Sequence, residues 1–113
     1  LPVLLTEGAL KGRITLEKVA EVTSLNPARV FGYYPQKGSL AVGSDADLVL
    51  VDLDKEQTVG PKSTHSRFTS AFEGLKLKGW PVMTIRRGEI IFREGEVLAQ
   101  PGSGRIMTRN VPA

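Results

Sequence analysis

The sequence contains no cysteine and only one histidine, His65. Without cysteine the chain has no disulfide, no thiolate nucleophile and no sulfur ligand for a metal. A single imidazole also argues against a hydrolytic zinc site, because such sites draw several histidine, cysteine or carboxylate ligands together. The lack of cysteine is typical of a cytoplasmic protein, and we expect that location.

Long apolar runs are also missing. No run approaches the roughly 20 residues that cross a bilayer, so we expect no membrane partner. The opening residues, Leu1–Leu5, carry no basic group and soon meet Glu7, which does not fit a secretory signal. The first residue is Leu rather than Met, which indicates a processed chain or a piece of a longer one. The 113 residues suffice for one domain with a modest core.

Charge of neither sign dominates. The chain carries 15 Lys and Arg beside 12 Asp and Glu, which gives a net charge of +3. The densest basic cluster, Arg86-Arg87, is followed at once by Gly88-Glu89. Nucleic-acid surfaces usually show a stripe of cations with interleaved aromatic residues. We therefore expect no nucleic-acid partner.

The most ordered pattern is a short apolar run, Leu48–Val51, bounded by acids and preceded by Gly43-Ser44. Such a run predicts a strand buried on both faces, because a half-exposed strand alternates polar and apolar residues. We expect it to be a central strand with hydrogen-bonded neighbours on both sides. Asp45 and Asp47 are expected to accept hydrogen bonds from backbone amides of the turn that leads into it.

Helical patterns fill the part of the chain before this run. Leu1–Lys11 predicts one helix, which Gly12 ends. Thr15 is the expected N-cap of a second helix with an apolar stripe. Asn26-Pro27 predicts a fresh start, with asparagine as the cap and proline at the first position of a third helical piece. Gly32 is expected to end that piece.

Turn and strand patterns fill the part after the run. Lys55–Ser66 predicts a long polar turn, and Lys76–Pro81 alternates like an edge strand that stops at Gly-Trp-Pro. Val82–Arg86 and Glu89–Arg93 predict a hairpin, and Glu94-Gly95 predicts a further turn. The predicted fold class is α+β, with helices first and antiparallel strands afterwards.

Two loop segments suggest chemistry weakly. Ser63 and Ser66 flank His65, but no Gly-x-Ser-x-Gly nucleophile elbow occurs, and a loop histidine bonded to backbone is the simpler interpretation. Gly102–Arg105 resembles a fragment of a phosphate loop without the Gly-Lys-Ser/Thr ending or the following helix. Neither segment supports an active site.

The acids around the apolar run do not form a calcium loop. Counted from Asp45, an EF-hand would place Val49 and Leu50 where a ligand and the invariant glycine belong. Aromatic and large apolar side chains are interpreted as packing residues; they are Phe72, Trp80, Ile91 and Phe92. The sequence therefore assigns no catalytic residue, no cofactor-binding residue and no metal ligand to this chain.

Several segments together resemble the cyclic amidohydrolases, namely dihydroorotase, hydantoinase (dihydropyrimidinase) and allantoinase. The similar segments are Thr15–Gly32, which contains Asn-Pro-Ala; Lys37–Asp52, which contains Gly-Ser-Asp-Ala-Asp-Leu; Phe72–Pro81; and Thr84–Gly88. They cover nearly the whole chain. The Phe-Glu-Gly and Leu-Lys-Gly pieces are similar to the cyclic-amide branch in particular.

The resemblance is to the C-terminal end of that family. It implies that residues 1–35 are the last helices on a TIM-type barrel, that residues 36–100 belong to a small β-sandwich, and that residues 101–113 form an irregular tail. The implied partners are the barrel and the N-terminal strands that complete the sandwich, and the assembly is expected to be a homo-oligomer.

The family's metal motifs are absent from these residues, so the resemblance transfers no catalytic or metal residue. It implies a longer parent that hydrolyses cyclic amides with a binuclear zinc centre and a carboxylated lysine, and in which this chain is a structural part. A free-standing binding or assembly module without the barrel is the alternative. The two stay open on the sequence.

Overall fold

The chain folds as two helices followed by a four-stranded antiparallel sheet. The computed structural model describes residues 1–61, 63, 65 and 67–109. The first helix spans Leu4–Leu10, is π-helical, and leads to Gly12, whose φ is +69°. The predicted α+β order is therefore confirmed.

The second helix is one continuous run made of three segments: Leu16–Ala20 is α-helical, Glu21–Leu25 is π-helical and Asn26–Val30 is α-helical again. Thr15 caps it as predicted, since its hydroxyl accepts a hydrogen bond from the Lys18 N–H at 3.1 Å.

The predicted restart at Asn26-Pro27 is wrong. Asn26 has helical φ and ψ of −65° and −46°, and it makes no N-cap. Proline cannot donate to the carbonyl four residues earlier, and its ring crowds that carbonyl. The wider π turn directly before Pro27 relieves this conflict, so the helix continues without breaking. Gly32, with a φ of +75°, follows the last turn as predicted.

The strands form a meander in the order β1-β2-β3-β4. β1 spans Leu48–Thr58, β2 spans Lys76–Arg86, β3 spans Glu89–Arg93 and β4 spans Glu96–Val97. The hairpin between β2 and β3 is confirmed, and its two turn residues, Arg87 and Gly88, have the positive φ values that a tight hairpin turn requires.

Three strand predictions are wrong. β1 is an edge strand among the described residues, and Val49 and Leu50 are 51% and 43% exposed. β1 also continues beyond Lys55, because the following residues alternate in exposure and pair with β2. β2 is internal and runs through Pro81, which lies opposite Val51 at a register shift that leaves room for a residue without an N–H.

The buried core is small, and the cluster that packs within it, Val59, Leu77 and Trp80, lies on the sheet with Val3 against it. Buried apolar residues number six among those described: Leu5, Val19, Ala28, Val59, Leu77 and Trp80. Trp80 donates its indole N–H to the Leu77 carbonyl at 2.9 Å. The described strands form one sheet, so the second sheet of the expected sandwich stays a prediction about a longer polypeptide.

One hydroxyl joins the first helix to β2. Thr6 Oγ1 accepts from the Lys78 N–H at 3.0 Å, and its single hydrogen has two acceptors within reach, the Lys78 carbonyl at 2.7 Å and the Pro2 carbonyl at 2.8 Å. The contact falls near a register shift of the β1–β2 ladder, beside Gly79. A Cβ on Gly79 would come within 3.2 Å of Leu5 Cβ, so the helix approaches the strand closely.

Thr6→Val should lower the free energy of unfolding by about 1–3 kcal/mol, because it leaves partly buried backbone groups of Lys78 without their partner. Thr23→Val is the matched control, since the Thr23 hydroxyl only donates to Val19 of its own helix, at 2.7 Å. Urea denaturation of both variants measures the difference. Equal losses in the two variants would contradict this role of Thr6.

The loop between the second helix and β1 lies tightly on the helix at Gly38. A Cβ there would lie 2.5 Å from Ala28 Cβ and 3.0 Å from the Ser24 carbonyl oxygen. Gly43, in the same loop, has open space around it. Both glycines have positive φ, +83° and +96°.

Gly38→Ala should therefore destabilise the chain more than Gly43→Ala. Both variants carry the strain of a positive φ, but only the first forces the loop off Ala28, which adds about 1–3 kcal/mol as other overpacked sites do. Midpoints of urea unfolding at equal slope test the difference. A Gly43→Ala variant as unstable as Gly38→Ala would show that backbone strain alone matters.

Candidate functional site

An open apolar groove lies between the two helices and β1 in the described part of the chain. It has a volume of about 700 Å³. Its helical wall comes from Leu1, Leu5, Leu16 and Val19, and its sheet wall comes from Leu48, Val49, Val51 and Leu53. The apolar stripe predicted for the second helix therefore lines a groove that these residues leave open.

The exposed area is large for the length of the chain. The solvent-accessible surface is 8245 Å², whereas a folded monomer of this length has roughly 6,100 Å². The radius of gyration is 15.5 Å, compared with roughly 13 Å for a compact domain of this size. The chain thus exposes roughly 2,000 Å² that a complete domain of the same length would bury.

One end of the groove is fixed by an ionic cluster around Lys37. Lys37 Nζ lies 2.7 Å from Asp45 Oδ2 and also pairs with Asp47. The other carboxylate oxygen of Asp47 accepts from the backbone N–H of Arg87 at 2.8 Å. The prediction that both acids accept from amides of their own entry turn is wrong, because Asp47 uses the distant β2–β3 turn and Asp45 uses a lysine.

The contacts of the cluster shift the pKa values of Asp47 and Lys37. Partial burial opposes ionisation of Asp47, but the hydrogen bonds from Lys37 and from Arg87 outweigh it and hold the pKa of Asp47 below its ordinary value. Burial likewise opposes the charge on Lys37, and the hydrogen bonds to Asp45 and Asp47 raise the pKa of Lys37 above its ordinary value. Asp47 and Lys37 therefore stay ionised at neutral pH.

His65 lies in an exposed position, with its ring 6.2 Å from the Phe92 ring in an edge-on arrangement. The Ser63 hydroxyl accepts from the Gly60 N–H at 2.8 Å and lies 2.9 Å from the Gly60 carbonyl, so it closes its own turn. Ser66 lies outside the described residues. Ser63 and His65 thus form no nucleophile and base pair.

The Gly102–Arg105 segment is held by Arg86, the last residue of β2, and by Arg87 of the β2–β3 turn. Arg86 Nη2 donates to Ser103 Oγ at 2.8 Å, and Arg87 Nη2 donates to the Ser103 carbonyl at 3.1 Å. Ser103 Oγ in turn donates to the Gln100 carbonyl at 2.6 Å. These contacts anchor the tail to the sheet, and nothing in the sequence spacing pointed to them.

No group of three or more histidine, cysteine or acidic side chains converges anywhere in the described ranges. The two acids that do meet, Asp45 and Asp47, already share Lys37. A cation at this position would displace that lysine or meet its charge. The described residues therefore do not fit the zinc centre that the family resemblance implies.

Comparison with known proteins identifies the family. Residues 4–91 match the model of the amidohydrolase family. The chain belongs to this family. It is 46% identical over 110 residues to the L-hydantoinase of Paenarthrobacter aurescens and 39% identical over 108 residues to the D-hydantoinase of Geobacillus stearothermophilus.

Solved amidohydrolase structures agree with this assignment. The L-hydantoinase (dihydropyrimidinase) from Arthrobacter aurescens superposes with a TM-score of 0.92 at 46% identity, over 96% of this chain. The dihydropyrimidinase from Brevibacillus agri superposes with a TM-score of 0.91 at 36% identity, also over 96% of this chain. The chain spans only 24% of each of these two structures, about a quarter of their length.

The described residues include no helix long and apolar enough to cross a membrane.

The ionic cluster predicts a specific acid dependence of stability. The pKa of Asp47 is lower in the folded state than its ordinary value of 3.8. Its contribution to the free energy of unfolding is therefore present at pH values above 3.8 and is lost as the pH falls through the folded-state pKa. As the pH is lowered from about 5 to about 2, urea denaturation should show a smaller loss of stability in Asp47→Asn than in the unmodified chain.

Lys37 acts in the opposite direction. Its raised pKa means that its contribution to stability is present below pH 10.5 and is lost as the pH rises through the pKa of the folded state.

The matched control for Asp47→Asn is Asp54→Asn, because the Asp54 side chain is 95% exposed and pairs with Lys78 at 3.3 Å. Identical acid profiles for Asp47→Asn and Asp54→Asn would contradict the assignment.

Proposed function

We propose that this chain is a structural portion of a hydrolase that opens cyclic amides of the hydantoin or dihydropyrimidine type. The hydrolytic chemistry would be carried out by the remaining polypeptide. The 46% identity to an L-hydantoinase across nearly the whole chain is the observation that carries this proposal. We favour hydantoin-type substrates over dihydroorotate for the longer protein, because the relatives described above are hydantoinases and a dihydropyrimidinase.

The exposed apolar surface supports a structural role. The helical and sheet walls of the groove are both apolar, and the chain exposes roughly 2,000 Å² more than a complete domain of its length. Permanent interfaces bury areas of this order and are rich in apolar residues. We propose that the partners covering this surface are the barrel and the N-terminal sandwich strands of the parent.

The metal belongs to that remaining part in this proposal. The parent would depend on a metal, as the family resemblance implies for zinc, and this chain would supply none of the ligands. Its own residues would hold the helices and the sheet in position, through Thr6 and the Lys37 cluster, and would thereby shape the surface on which the catalytic part packs. We propose a cytoplasmic location for the assembly.

The alternative is a free-standing binding module. The core of the sheet supports it, since Val59, Leu77 and Trp80 pack together within the chain itself and Val3 packs against them. The open groove opposes it, because an independent domain of this length would bury much of that apolar surface. We therefore prefer the hydrolase portion.

A complementation experiment tests the proposal. The P. aurescens L-hydantoinase would be produced without the stretch of 110 residues that this chain matches, and then mixed or coexpressed with the chain. We expect ring opening of a hydantoin only when both parts are present, since this chain would complete the fold and the remainder would carry the chemistry.

The matched control is the chain with Leu16→Lys, which places a charge in the groove wall and should weaken complementation. The chain alone should release no ring-opened product. Turnover by the chain alone, lost in His65→Ala, would overturn the structural role. If neither the unmodified chain nor its Leu16→Lys variant restores activity, although each part is folded, the independent module would be favoured.

A further inference from the structure

Residues 98–105, the strap, follow β4 and are bonded to β3 and to the β2–β3 turn. At the start of the strap, Leu98 donates its backbone N–H to the Ile91 carbonyl at 2.9 Å. Further along, the Ser103 N–H donates to the Gln100 carbonyl at 3.2 Å, so the strap closes a turn of its own. This turn places Ser103 against the two arginines at the end of the β2–β3 hairpin.

The strap completes the hydrogen bonding of a largely buried cation. The Arg86 side chain is 21% exposed. Its Nη2 donates to Ser103 Oγ at 2.8 Å and lies 3.5 Å from a carboxylate oxygen of Glu89. Its Nε is buried without a hydrogen-bond partner among the described residues. Release of the strap would remove the shortest contact of this guanidinium, so Arg86 favours the docked position of the strap.

Arg87 contacts the strap on one side and the loop before β1 on the other. Its Nη2 donates to the Ser103 carbonyl at 3.1 Å, and its backbone N–H donates to Asp47 Oδ1 at 2.8 Å. The next residue, Gly88, donates its N–H to the Ala46 carbonyl at 3.0 Å. The turn is therefore fixed between the strap and the loop that carries the ionic cluster.

The conformation of this turn links its two sides. Arg87 and Gly88 have φ values of +48° and +82°. A residue with a side chain has little room to move within the left-handed region, so Arg87 keeps this conformation only while its contacts hold it. Hydrogen bonds weaken steeply when the donor turns away from the acceptor. A movement of Arg87 after loss of its contact with Ser103 would therefore misalign the amides that face the loop.

We propose that the strap and the ionic cluster are coupled through the β2–β3 turn, so that docking of Ser103 holds Asp47 and Lys37 in place. Asp47 also lines one end of the apolar groove. Docking of the strap thereby sets how firmly that end of the groove is held.

The coupling uses only contacts within this chain and needs no other polypeptide. Its consequence for a catalytic part packed on the groove rests on the proposed hydrolase role, whereas the coupling itself does not. Complementation and coupling are measured separately, so failure of one is distinguishable from failure of the other.

A double-mutant cycle on the 113-residue chain tests the coupling by urea denaturation. Ser103→Ala removes the hydroxyl that holds the strap to Arg86 and to the Gln100 carbonyl. Asp47→Ala removes the acceptor on the loop side. Independent sites multiply their effects on the unfolding equilibrium constant to within about twofold. We expect the double variant to fall short of that product by about threefold or more, because the turn is already loose once either side is released.

Ser70→Ala is the matched control for the strap side. The Ser70 hydroxyl also closes a local turn, by accepting from the Phe72 N–H at 3.1 Å, in a contact that involves neither the strap nor the β2–β3 turn. Its effect should multiply with that of Asp47→Ala. Ser103→Thr keeps the hydroxyl and should behave like the unmodified chain.

Amide hydrogen exchange gives a second measurement. The amides of Arg87 and Gly88 should exchange about threefold faster or more in Ser103→Ala, since the exchange rate follows the local opening equilibrium. Ser70→Ala should leave both amides unchanged. Multiplicative effects of Ser103→Ala and Asp47→Ala would overturn the proposal. So would unchanged exchange at both amides in Ser103→Ala, or a coupling of Ser70→Ala with Asp47→Ala as large as that of Ser103→Ala.

Discussion

The pairing of β1 with β2 holds this chain together, because the other contacts are built on it. The paired strands bring Val59 beside Leu77 and Trp80, and this cluster receives Val3 from the segment that enters the first helix. Thr6 then fixes that helix to the backbone of β2 at Lys78. Only six of the described residues are buried apolar side chains, so the loss of one anchor removes a large share of the stabilisation.

The features that were predictable from sequence are the local ones. A threonine before an apolar stripe marks a helix start, and Arg87-Gly88 between two alternating segments marks a hairpin, because each depends on the backbone preferences of a few adjacent residues. The family resemblance was equally accessible, since it rests on segments that lie close together along the chain.

The errors come from constraints that act over longer distances. The run Leu48–Val51 suggested a central strand, yet among the described residues no strand covers its outer side; an apolar run reports that a surface is suited to burial and does not say which residues cover it. Pro81 suggested a strand end, but a register shift in the partner strand accommodates it. The contacts of Lys37 with Asp45 and Asp47, and of Arg86 with Ser103, join loops whose positions no local pattern specifies.

The bulge of β1 at Asp52, where its register with β2 shifts, has a consequence for how far β1 can be extended by another strand. A strand whose entire edge is free offers a continuous template for pairing. Here the carboxylate of Asp52 occupies the amides of Asp54 and Lys55, and the opposite border of the described sheet ends after the two residues of β4. Replacing Asp52 with a residue that cannot accept those bonds would therefore lengthen the stretch of β1 that an added strand can pair with.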